Sequence, residues 1–241
     1  MALPPGLVDF LAPRAVPGIE EVSDGVYRRT IAGGRVIDLG APEAAPILGA
    51  DPAAADEHLG RDPVLGPLVA RRPGLRVPGT VDGGELAIRA VLGQQISVAA
   101  ARTIAGRLVA IAGEPLAAPV GTLTHTWPSP GAIAEVAPTL PMPRSRQRTV
   151  AALAQALADG LELERGTDAR AQLLALPGIG PWTAEYVAMR AFGDPDAWMP
   201  TDLGVRHGLA RLGVGAEAAD AWRPYRAHAV MHLWSVLSEP A

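Results

Sequence analysis

The chain has 241 residues, 49% of them hydrophobic and 19% charged, with a formal net charge of −4, enough apolar material for a sizeable core in one domain with a small companion. It contains no cysteine, which excludes disulfides, cysteine-ligated zinc and cysteine-held iron–sulfur clusters. All 21 basic residues are arginine, which excludes Schiff-base chemistry on a lysine amine, and the mild acidity argues against a protein that coats nucleic acid by bulk charge, though a local basic face remains open.

Residues 1–48 read differently from the rest. Leu7 to Leu11 is a short apolar stretch that ends at Pro13. Gly25 to Ile31 and Arg35 to Leu39 are β-prone runs around Gly33 and Gly34, which reads as a hairpin. An isolated hairpin is marginal, so it must pack on something else. Ala41 to Pro52 is Ala/Pro-rich and reads as an irregular crossing. From about residue 53 the pattern is helical, with short helices expected at Pro63 to Ala70 and Glu85 to Leu92. Ser97 then caps a helix whose Ile104, Leu108 and Ile111 fall at i, i+4 and i+7. The corner between those helices, Gly93 to Ile96, turns Gln94 and Gln95 outward. Pro115 to Pro143 is rich in Pro, Thr and Ala, with weak helical signal near Ile133.

Arg144 to Ala158 is predicted as a helix with Val150, Leu153 and Leu157 inside and Gly160 as its stop. Ala169 to Ala175 leads into a Gly-rich turn, Leu176 to Gly180. The next helix, from Pro181, buries Ala184, Val187, Ala188 and Ala191. Leu203 to Leu212 ends at Gly213, and Pro224 to Ser238 aligns Val230, Leu233, Trp234 and Leu237 on one face. Apolar runs break well before 18 residues, so no membrane span is expected. The N-terminus lacks a basic-then-apolar signal, so a cytoplasmic location is expected. The pattern predicts a mainly α fold, with a small α+β domain over 1–48 and a helical domain over 49–241.

The chemistry concentrates in Leu174 to Asp202. Gly178 and Gly180 permit a sharp turn into a helix that starts near Pro181. Free N–H groups there, with the helix dipole, make an anion site. The turn alone is equally an ordinary capped corner. Trp182 and Tyr186 are i and i+4 and share a helix face. Asp202 before Leu203 reads as an N-cap, and Trp234 and Phe10 read as core.

Several motifs in one order add to this. LPGIGPWTAEY (176–186) followed by PTD (200–202) resembles the hairpin and catalytic aspartate of the helix–hairpin–helix DNA glycosylase superfamily. VLGQQISVAAARTIAGRLV (91–109), AVMHLWS (229–235) and FLAPRAV (10–16) narrow the resemblance to the DNA-3-methyladenine glycosylase II family. The resemblance implies a fold of two helical lobes with a shortened N-terminal domain. It implies a monofunctional enzyme, acting as a monomer on double-stranded DNA, that removes alkylated bases and leaves an abasic site. Asp202 would be the catalytic carboxylate. Trp182, Tyr186, Trp234 and Phe10 would form the base pocket, where aromatic faces attract a cationic base. Gln95 would be the wedge that fills the gap left by the flipped nucleotide, where relatives use leucine. Gly178, Gly180 and Thr183 would hold a phosphate through backbone N–H groups and the Thr hydroxyl. The carbonyls of Leu174, Leu176 and Ile179 would hold a structural Na+ or K+, with no other cofactor. Arg102, Arg206 and Arg226 are further phosphate candidates. Strand-cutting relatives carry lysine where this chain has Trp182, so strand cleavage by that route is excluded. Two rival readings remain at this point: a non-catalytic DNA-binding lesion sensor, and a glycosylase for deaminated or mismatched bases.

Overall fold

The computed structural model describes residues 3–4, 6–163 and 168–237. The chain opens with helix α1 (Leu7–Leu11) and a three-stranded antiparallel sheet, β1 (Glu20–Ser23), β2 (Val26–Ile31) and β3 (Arg35–Asp38), in the order β1-β2-β3. The expected hairpin is β2–β3, with Ile31 opposite Arg35 and Gly33 at φ +78° in its turn. Strand β1 goes beyond the sequence reading, because its residues, Glu-Glu-Val-Ser, carry no apolar alternation. Its register places Glu20 opposite Arg29 and Val22 opposite Tyr27. Tyr27, Ile37 and Leu39 of the sheet pack on Leu7, Leu11, Ile47 and Leu48 as one small core. Ala41 to Pro52 is more regular than expected, since it contains α2 (Ala45–Leu48).

The remaining helices form two lobes. Helices α3 (Ala53–Leu59) and α4 (Gly66–Arg71) precede α5 (Gly83–Leu92) and α6 (Val98–Ala112). A two-stranded piece, β4 (Pro115–Val120) and β5 (Leu123–His125), lies in the Pro-rich stretch, followed by α7 (Pro130–Val136) and α8 (Arg144–Ala158). Then come α9 (Ala169–Ala175), α10 (Pro181–Arg190), α11 (Leu203–Leu212) and α12 (Arg226–Val236). One core joins α5, α6, α7, α8 and α9 through Ile88, Leu92, Leu108, Ile133, Leu153 and Leu173. A second joins α3, α4, α11 and α12 through Leu59, Leu68, Val205, Val230 and Leu233, with Leu65 and Trp222 from the segments between them. Helix α10 belongs to both, giving Ala184 and Val187 to the first and Ala188 and Met189 to the second. The helix launched by the Gly-rich turn is therefore the seam between the lobes.

Two expected stripes differ in detail. In α6 the buried residues are Ala105, Leu108 and Val109, while Ile111 is 56% exposed. Helix α12 is buried on nearly every side from Ala227 to Leu233 and has no single apolar stripe, and Leu237 is exposed. The expected end of that helix, Ser238, lies outside the described residues. The causes are opposite: α12 meets neighbours on nearly every side, so its periodicity fades, whereas α6 lies at the surface and buries only a narrow strip.

A buried charge cluster ties the sheet to α5. Glu85, 2% exposed, takes Arg29 Nη2 at 2.5 Å and Arg89 Nη1 at 2.7 Å. Glu20 takes Arg89 Nη1 at 3.0 Å, the Tyr27 hydroxyl at 2.5 Å and the Val16 N–H at 2.7 Å. Burial pushes the Glu20 carboxyl up, but Arg89 and Arg29 reverse this and bring it down to about 2.

Candidate active site

The hairpin is built by two glycines with different reasons. Gly178 has φ +81°, and a Cβ there would collide with the Thr149 hydroxyl of α8, so no other residue fits. Gly180 is the extended N-cap of α10, with open space where a Cβ would stand. Ile179 is buried between them and anchors the turn, its N–H bonded to Leu176 O at 3.2 Å. Among the described residues no protein acceptor takes the N–H of Gly178, Gly180 or Thr183, which leaves these donors free. The Thr183 hydroxyl, expected at a phosphate, is instead 2% exposed and accepts the Gln94 amide at 3.0 Å.

Of the three carbonyls expected at a cation, Leu176 O already accepts the Ile179 N–H. Leu174 O and Ile179 O have no donor among the described residues. Carbonyl oxygens with a free lone pair suit a hard monovalent cation, and the single N–H on Leu176 O leaves it one, so all three carbonyls are compatible with that group.

The corner between α5 and α6 carries Gln95, exposed and held at φ +58°. A side-chain-bearing residue in that conformation is unusual and marks a tightly determined turn. Its neighbour Gln94 reaches across and donates to both Gly178 O at 3.2 Å and the Thr183 hydroxyl. The projecting Gln95 and the hairpin are thus braced by one amide.

Asp202 caps α11, its Oδ1 accepting the Val205 N–H at 2.8 Å. The same carboxylate accepts the indole N–H of Trp234 on Oδ1 at 2.8 Å and that of Trp182 on Oδ2 at 2.9 Å. Trp182 stacks on Tyr186 with ring centroids 5.4 Å apart and planes within 9°. Phe10 stacks on Trp234 at 6.4 Å and 15°. Both aromatic pairs therefore meet at one carboxylate, and Phe10 and Trp234, which sequence alone reads as core, are only half-buried. Three N–H donors fix the orientation of that carboxylate.

Sequence reasoning missed three participants. The Arg190 guanidinium donates to the Tyr186 hydroxyl at 2.8 Å and to Pro78 O and Gly79 O. Arg14 lies 3.9 Å from the Phe10 ring centroid, with Arg190 at 5.0 Å. Burial pushes the Tyr186 hydroxyl up, but Arg190 and Arg14 outweigh this and leave it below the usual tyrosine value. Gly204 is the third: a Cβ there would stand 2.6 Å from Trp234 Cδ1 and 3.0 Å from Asp202 Oδ1. Only glycine lets the indole come down on the carboxylate. The Gly two residues after Asp202 was the available signal. The other candidates lie elsewhere: Arg226 is taken up by Asp196 at 2.7 Å, and Arg102 Nε donates to Ala15 O. Arg206 is exposed.

The family model described as the AlkA N-terminal domain matches residues 47–82. DNA-3-methyladenine glycosylase 2 of Escherichia coli is 32% identical, over 95% of this chain and 92% of its own length. The chain belongs to the DNA-3-methyladenine glycosylase 2 family. A Mycobacterium tuberculosis member named as a bifunctional transcriptional activator/DNA repair enzyme AlkA is 46% identical over 98% of this chain and 55% of its own length. The chain thus spans about half the length of that curated relative. The family fold is matched by 3-methyladenine DNA-glycosylase from Archaeoglobus fulgidus, with a TM-score of 0.75 and 22% identity over 95% of this chain and 92% of that one. The resemblance in the motifs and the shared fold agree.

Proposed function

We propose that the protein is a monofunctional DNA glycosylase that hydrolyses the N-glycosidic bond of alkylated bases, of the 3-methyladenine and 7-methylguanine class, and leaves an abasic site. The observation that carries this reading is the carboxylate of Asp202, fixed by two indole N–H groups and a helix N–H at the meeting point of two aromatic stacks. The broken bond passes charge to the sugar, which becomes oxocarbenium-like, and an oriented carboxylate stabilises it. The same carboxylate can orient or deprotonate the attacking water. An alkylated purine is already a good leaving group, so no general acid is needed. The aromatic faces of Trp182, Tyr186, Phe10 and Trp234 attract its positive ring, each contact worth ~0.5–2 kcal/mol.

Delivery of the base requires extrusion of the nucleotide from duplex DNA. In this reading Gln95 enters the gap, its amide able to hydrogen-bond the orphaned base. The free N–H groups of Gly178, Gly180 and Thr183 hold the phosphate. The carbonyls of Leu174, Leu176 and Ile179 would hold a monovalent cation, which supplies positive charge next to that phosphate. Trp182 occupies the place where strand-cutting relatives carry lysine, so the reaction stops at base release. The protein acts as a monomer. Incubation with N-methylated duplex DNA tests the reading. Free 3-methyladenine and alkali-labile abasic sites are expected, and bound DNA with no base released would contradict it.

A further inference from the structure

Helix α8 begins Arg144-Ser145-Arg146-Gln147-Arg148. Three cations in five residues at a helix start oppose the helix dipole. The first turn holds no acidic residue and no side-chain cap to offset them. A local rule broken without local compensation points to a partner. Arg144 and Arg148 lie one turn apart on one face, and both are exposed. Arg146, between them, is buried and adds nothing to that exposed face.

Elsewhere in the chain, Arg35, Arg61, Arg170, Arg223 and Arg226 each face a carboxylate. Among the described residues, Arg144 and Arg148 have no ion pair or hydrogen bond. In a chain of net charge −4, two uncommitted arginines stand one turn apart at the start of one helix, whereas Arg107 and Arg206, also exposed and without an ion pair among the described residues, each stand singly on their helices. The start of α8 adjoins the hairpin, since Thr149, the residue after Arg148, is the one that presses on Gly178.

We propose that Arg144 and Arg148 form an auxiliary phosphate-binding patch, which extends the hairpin's hold to further backbone phosphates of the duplex beside the lesion. This rests on the reading of double-stranded DNA as the partner. The binding groups are the two guanidiniums, which recognise phosphate by charge and paired N–H donors. Duplex DNA carries a negative charge about every 1.7 Å of axis, and two arginines at i and i+4 sit about 6 Å apart along the helix. The patch therefore meets more than one phosphate and reads no sequence.

The test is the salt dependence of binding to an undamaged duplex, by fluorescence anisotropy over about 50–300 mM salt. Each phosphate contact contributes about 0.9 to the slope of log affinity against log salt. Arg144→Gln/Arg148→Gln is expected to lower the steepness by about 1.8, and to weaken damaged and undamaged duplexes alike. Arg144→Lys/Arg148→Lys should retain the slope, which separates charge from a folding defect. Arg35→Gln/Arg61→Gln removes the same formal charge from ion-paired positions and should leave binding as it was. A slope unchanged in the Gln pair, or lost equally in the Arg35/Arg61 control, overturns the patch while the glycosylase reading stands. A wild-type protein that shows no salt-dependent DNA binding overturns both.

Discussion

Gly204→Ala is the most informative single substitution. The added methyl would stand 2.6 Å from Trp234 Cδ1 and 2.8 Å from its Nε1, whereas carbon contacts settle at about 3.5–4.0 Å. The indole must therefore retreat by roughly 1 Å. Its bond to Asp202, 2.8 Å in the structure, is then stretched beyond useful length, at a cost of about 1.5–3 kcal/mol for a bond to a carboxylate. A displacement of that size at a reacting centre costs on the order of 100-fold in rate, and ~2.7 kcal/mol is the same factor, so the two estimates agree. Helix propensity runs the other way, since alanine gains up to about 1 kcal/mol over glycine. The expected signature is a single-turnover base-release rate lower by roughly 100-fold with a melting temperature lower by only about 1–8 °C, the net of the lost bond and the gained helix propensity. A variant within about threefold of wild type would refute the reasoning that the Trp234–Asp202 contact depends on the missing Cβ.

Other substitutions probe separate parts. Gln94→Ala removes the brace between Gln95 and the hairpin; base release should fall by roughly 5- to 150-fold, two lost hydrogen bonds at about 0.5–1.5 kcal/mol each, with DNA affinity little changed, and wild-type kinetics would show that the brace has no part in catalysis. Glu85→Gln leaves Arg29 and Arg89 without their shared partner, so about 3 kcal/mol of stability should be lost, read as a melting temperature lower by roughly 6–12 °C. His232 is fully buried, and burial, with His228 and Arg72, pushes its pKa down to about 4. The unfolded chain protonates it near the ordinary value of about 6.5, so its contribution is intact above that pH and is lost as pH falls to 4, about 3 kcal/mol in all. Urea unfolding of His232→Leu should fall less steeply over that window than wild type, the remaining slope coming from His228, whose pKa burial also lowers, and from the carboxylates.

The long helices were legible because their caps and periods are local. Ser97 and Asp202 both cap as read, and Gly213 ends α11 with φ +71°. Strand β1 was not legible, since its stabilising partners are Arg29 and Arg89, far from it in the chain or across the sheet. The motif residues told which side chains to watch, but their meeting point depends on tertiary contacts. Phe10 reaches Trp234 across 224 positions, and no periodicity encodes that. Arg14 and Arg190 escaped notice because a guanidinium on an aromatic face looks in sequence like any surface cation. The tie between Gln94 and the Thr183 hydroxyl was not legible, because a threonine in a first helical turn looks free until a distant glutamine donates to it.

The proposed chemistry gives Asp202 a role beyond capping a helix, in which its charge acts on the breaking bond. Asp202→Asn keeps an oxygen for Val205 and one indole and removes the carboxylate's charge. Single-turnover release of 3-methyladenine from methylated duplex DNA, measured beside DNA binding by the same protein, tests this directly. Release should collapse by at least about 100-fold while binding survives. Release at the wild-type rate would contradict a chemical role for Asp202.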